Sequence, residues 1–102
     1  MANTNNPSIT VLSVNIAAGV KQTFDNIGIQ RAIMIPQNVV DKNITVKFGP
    51  QGTPFKLVGF TSGIYFNLGA DFDEMDITNN GAAAAQGDIV LSPCEDFLVI
   101  GV

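Results

Sequence analysis

At 102 residues and 10.8 kDa the chain has room for one domain, since single cores typically take ~100–150 residues. Five Lys+Arg against nine Asp+Glu give a formal charge of −4 and a pI of about 4.3, which excludes a nucleic-acid binder built on a basic stripe. With no histidine and one cysteine, Cys94, the chain has no Ser-His-Asp triad, Cys-His dyad, internal disulfide or zinc cage.

The start, Met1-Ala-Asn-Thr-Asn-Asn-Pro-Ser8, carries neither the basic nor the apolar region of a signal peptide. Residues 1–8 read as a flexible polar arm ahead of a β-sandwich domain at 9–102. No stretch approaches the ~20 apolar residues of a membrane span. Synthesis in the cytoplasm without a signal peptide and no membrane insertion are the expectations.

The longest run free of Gly and Pro is 37–48, so helices of ordinary length have little room. Eleven Ile and ten Val stand against five Leu, and branching at Cβ favours strands. Strands are predicted at 8–16, 20–25, 29–35, 43–48, 54–60, 63–68, 72–78, 88–92 and 96–102. Ile44, Val46 and Phe48 alternate cleanly with Thr45 and Lys47. In 29–35, Ala32 and Met34 make the second face apolar as well. A strand of that kind is central in a sandwich or covered by a neighbouring subunit.

Gly19 and Gly28 sit in turns where a positive φ would be inexpensive. Asn79-Asn80-Gly81 is a further turn, expected to use left-handed conformations. The small side chains of Ala82, Ala83, Ala84 and Ala85 predict a flat loop at an interface. The predicted core is Ile44, Val46, Phe48, Phe55, Leu57, Ile77, Ile89, Leu91, Phe97 and Val99, with the seven Phe as a group read as core. The apolar last strand needs a pairing partner. The fold class is all-β, a single-domain, jelly-roll-like sandwich of about eight short antiparallel strands.

Asp71, Asp73, Glu74 and Asp76 crowd four carboxylates into six residues and are the candidate Ca²⁺ ligands. Their spacing is not that of an EF-hand, and alternation along a strand at 72–78 would split them between two faces. They read as a solvated strand edge, with no metal or other cofactor expected. Cys94 lies beside Glu95 and Asp96, which would raise its pKa rather than activate it. Gly49-x-x-Gly52 lacks the Lys-Ser/Thr and the helix of a phosphate loop.

Charged residues make up 14%, against ~25% in typical domains, and ten Asn, five Gln and seven Thr take their place. Such a surface suits contact with copies of itself. The order of features runs from Ala17-Ala18-Gly19-Val20 through Phe55-Lys-Leu-Val-Gly59 to Phe72-x-x-x-x-Ile77-Thr-Asn79. It continues past the alanine turn to Asp88-Ile-Val-Leu91. This pattern resembles small virion structural proteins of bacteriophages, β-sandwich proteins that decorate capsids or join spikes and fibres. The resemblance implies a non-enzymatic capsid decoration or spike-associated subunit, located on the virion. Its partners would be other capsid or spike proteins and itself, as a homotrimer or larger oligomer. The alternative is a small carbohydrate- or receptor-binding module using residues near Tyr65 or the acidic segment. A small enzyme would have to work through carboxylates or Cys94.

Overall fold

The computed structural model describes residues 9–93. The arm at 1–8, Cys94, and the predicted last strand with Phe97 and Val99 lie outside the described residues. Within them are β1 (Thr10–Ile16), β2 (Lys21–Phe24), β3 (Gln30–Ile35), α1 (Gln37–Val40), β4 (Ile44–Phe48), β5 (Phe55–Leu57), β6 (Ile64–Phe72), β7 (Met75–Asn79) and β8 (Ala85–Ser92).

The strands form two antiparallel sheets, the first in the order β1-β8-β3-β6 and the second β2-β7-β4-β5. Four nested pairs are visible in this order: β1 with β8, β2 with β7, β3 with β6, and β4 with β5. A single long hairpin folded over on itself in this way is a jelly roll. Every connection except β4–β5 therefore crosses between the sheets.

Period-two patterning fills the space between them. Val14, Ile16, Ile33, Ile35, Ile89 and Leu91 from the first sheet meet Ile44, Val46, Leu57, Met75 and Ile77 from the second, all buried. Burial of such a side chain stabilises by roughly 1.5–3 kcal/mol. The single turn of helix falls inside the longest Gly- and Pro-free run. Pro36 opens it, accepting from the Val39 and Val40 amides at 3.0 and 3.1 Å, and the buried Val39 and Val40 close one end of the sandwich. Gly87 makes room for it, because a Cβ there would lie 2.9 Å from Pro36 Cγ. Asn43, at φ 63°, turns the chain out of the helix into β4.

Several expectations need correction. Phe55 is 38% exposed rather than core, because β5 is a three-residue strand at the edge of its sheet. Its ring caps the rim, 5.6 Å from both Phe48 and Phe66. Phe60, 37% exposed, is not core either. The predicted strand at 72–78 is broken: β6 ends at Phe72, and Asp73-Glu74 carries the chain across to β7. Ala85 is fully buried as the first residue of β8, paired with Ile16, so it cannot face a partner as part of a flat loop. The turn after β7 uses no left-handed residue; it is an Asx turn, in which the Gly81 amide donates to Asn79 Oδ1 at 2.9 Å. The expected positive φ is present at Gly19 and Gly28, 76° and 78°.

Candidate functional site

The two outer faces of the sandwich differ in chemistry, and cross-strand register shows how. On the second sheet Lys21, Thr78, Thr45 and Lys56 pair in one row, and Thr23, Asp76 and Lys47 in the next. Three of the five basic residues of the chain stand here among threonines, with Asp76 directly opposite Lys47. That face is built for water.

On the first sheet Val11 pairs with Val90, Val90 with Met34, and Met34 with Tyr65. One outward residue from each of the four strands thus makes a continuous apolar row across the sheet. Val11 is 56% and Tyr65 44% exposed, with Val90 and Met34 partly covered between them. Beside the row lies an open groove of about 580 Å³, bordered by Met34, Pro36, Gly63, Tyr65, Val90 and Asp88. The Asp88 carboxylate accepts a 2.9 Å hydrogen bond from Ser13 Oγ, across β1 and β8. The expectation of a second apolar face on β3 is met, since the strand is interior to its sheet and carries Met34 outward.

The four candidate metal ligands surround the crossing from β6 to β7. Asp71 pairs with Arg31, Nε to Oδ1 3.2 Å, while Arg31 Nη2 donates to the Gly69 carbonyl at 2.8 Å. These contacts hold a bulge where β6 slips register against β3. Asp73 and Glu74 form the crossing itself, and their carbonyls accept from the Ile27 and Gly49 amides at 3.3 and 2.8 Å. Asp76 points outward on the second sheet. Among the described residues no three acidic or sulfur-bearing side chains come together as a metal site.

Ala82, Ala83 and Ala84 are exposed at the opposite end, next to α1. The loop is pinned from within by Asn79, whose Nδ2 donates to Ile16 O at 2.9 Å and Ala83 O at 2.7 Å. Sequence reasoning placed Met34 on a second apolar face but did not single out Val11 or Val90 as surface residues. The available signal was phase: Val11 and Val90 fall out of step with the inward positions Val14, Ile16, Ile89 and Leu91.

No protein-family model and no curated protein matches the chain. Among solved structures it is similar to a chain of Bacillus endospore appendages, described as a family of disulfide-linked pili. Identity is 18%, coverage is 85% of this chain and 87% of that one, and the TM-score is 0.46. The pattern read from the sequence points to bacteriophage virion proteins, whereas this solved chain is a pilus protein. Bacteriophage, virion and trimer have no counterpart in that comparison.

Proposed function

We propose that the chain is a non-enzymatic structural subunit that works by contact with copies of itself and with neighbouring proteins. The observation that carries this reading is the unlike chemistry of its two outer faces. A protein acting alone in water gains nothing from a row of four apolar side chains across one sheet, whereas a subunit gains a dry contact there. The low charge of the chain removes the repulsion that would keep copies apart. In its finer form the reading is a capsid decoration or spike-associated subunit of a virion, assembled as a homotrimer, and this form rests on the sequence resemblance. Analytical ultracentrifugation at micromolar concentration tests it. An oligomer is expected, and a stable monomer would overturn it.

A second reading has one specific observation in its favour. The groove beside Tyr65 joins an aromatic ring to the Asp88 carboxylate, a pairing suited to a sugar or a surface receptor. Binding on a glycan array by a monomeric protein, abolished by Tyr65→Ala, would move the assignment to a binding module.

A further inference from the structure

The turn between β7 and β8 carries a chemically labile pair of residues. Asn80-Gly81 is the one Asn-Gly sequence in the chain. In such a pair the main-chain nitrogen of glycine attacks the side-chain carbonyl carbon of asparagine, because no β-carbon on the glycine obstructs the approach. The new C–N bond closes a five-membered succinimide and expels the side-chain nitrogen as ammonia. Water then opens the ring at either carbonyl, leaving aspartate or isoaspartate at position 80. Asn80 is exposed, so water reaches it.

The fold has its own need for glycine here. A Cβ at 81 would run into the main-chain carbonyl oxygen of Lys42, in the turn that follows α1. A side chain would force the two turns apart, so the reactive pair comes with the shape of this end of the sandwich.

Three hydrogen bonds oppose the reaction. The Gly81 amide, which must lose its proton to become the nucleophile, donates to Asn79 Oδ1 at 2.9 Å. The leaving nitrogen, Asn80 Nδ2, donates to Thr45 Oγ1 of β4 at 2.8 Å and ties the side chain to the second sheet. The Asn80 amide donates to the Asn43 carbonyl at 2.9 Å and fixes the main chain between them. Attack needs the reacting atoms about 3–3.5 Å apart and aligned. A side chain tied to Thr45 takes part only by giving up that bond.

We propose that Asn80 is a site of spontaneous deamidation that the folded turn holds closed and that opening of this end of the sandwich releases. The reaction consumes water alone and needs no second protein. Its product sets a carboxylate beside Thr45. In the isoaspartate form it also adds a carbon to the main chain of the turn, next to the residue whose amide reaches Ile16 and Ala83. A chain that opens for long enough is thereby marked permanently.

The test incubates the full chain at mildly alkaline pH, folded and in guanidinium chloride. Mass spectrometry of the peptide spanning residue 80 reads the exchange of NH2 for OH. Conversion is expected to be more than about tenfold slower in the folded chain, the factor that two hydrogen bonds of ordinary strength supply. Equal rates overturn the proposal. Thr45 is half-buried on the outer face, and Thr45→Val frees Asn80 Nδ2. That variant is expected to convert about two- to tenfold faster than wild type, the worth of one hydrogen bond. Thr45→Ser, which keeps the hydroxyl, is expected to match the wild type. If the valine and serine variants convert alike, the Thr45 bond holds nothing closed and the proposal fails. Should Thr45→Val misfold, deuterium exchange of the Gly81 amide in the wild type decides. Protection relative to the denatured chain is expected there, and unprotected exchange overturns the proposal.

Discussion

Asn79 shows how one side chain ties the jelly roll together. It ends β7 in the second sheet, yet its buried amide donates to the carbonyl of Ile16, the last residue of β1 in the first. It also donates to Ala83 and accepts from Gly81, so both ends of the amide are used. Its backbone pairs with Val20 and Gly19 at 2.9 and 2.8 Å. Replacing it strands the buried Ile16 carbonyl and removes the partner of the part-buried Ala83 carbonyl and Gly81 amide, at ~1–3 kcal/mol for each group left unsatisfied. Asn79→Ala is therefore expected to lower stability by about 3 kcal/mol, read as a lower urea midpoint. Asn79→Asp keeps the acceptor for Gly81 but places a carboxylate against two carbonyls. It is expected to be no better than the alanine variant.

At the scale of elements, the β6–β7 crossing decides what the acidic segment can do. Asp71 is engaged by Arg31, Asp73 and Glu74 supply main-chain carbonyls to the crossing, and Asp76 faces a different side. A ligand that binds only the folded state raises stability as RT ln(1 + [L]/Kd). Carboxylates directed apart give calcium no folded-state site, so neither millimolar calcium nor EDTA is expected to shift the melting temperature. A rise of several degrees with calcium would contradict that. The same segment marks where sequence periodicity stops being informative. Ile44, Val46 and Phe48 announce β4 because one face is buried and the other wet. Phe72, Met75 and Ile77 also look like one strand, because the crossing at Asp73-Glu74 contains no Gly or Pro to punctuate it. Phe55 shares the inward phase of Leu57, and phase alone does not reveal that β5 lies at an edge. The apolar row was illegible for a further reason. Its members are joined by register, and Val11 meets Val90 across almost the whole chain.

For the whole molecule, the division of labour between the sheets follows from the numbers in the composition. With five basic residues available, three stand on the outer face of the second sheet and two of those guard its edges. The outer face of the first sheet has no lysine at the paired positions and carries the row of Val, Met and Tyr beside the Ser13–Asp88 pair. The nested order of strands has a further consequence, for synthesis rather than for assembly. β8 is the last described strand to be made, yet it lies between β1 and β3, two of the first. At ~5–20 residues per second, translation leaves Val14, Ile16 and Ile33 without their central neighbour for several seconds. A chain stopped before residue 85 lacks that strand altogether, and circular dichroism is expected to show it unfolded, not half-folded. Until β8 leaves the ribosome, the cell holds an unfinished sheet whose sticky interior depends on chaperones for cover.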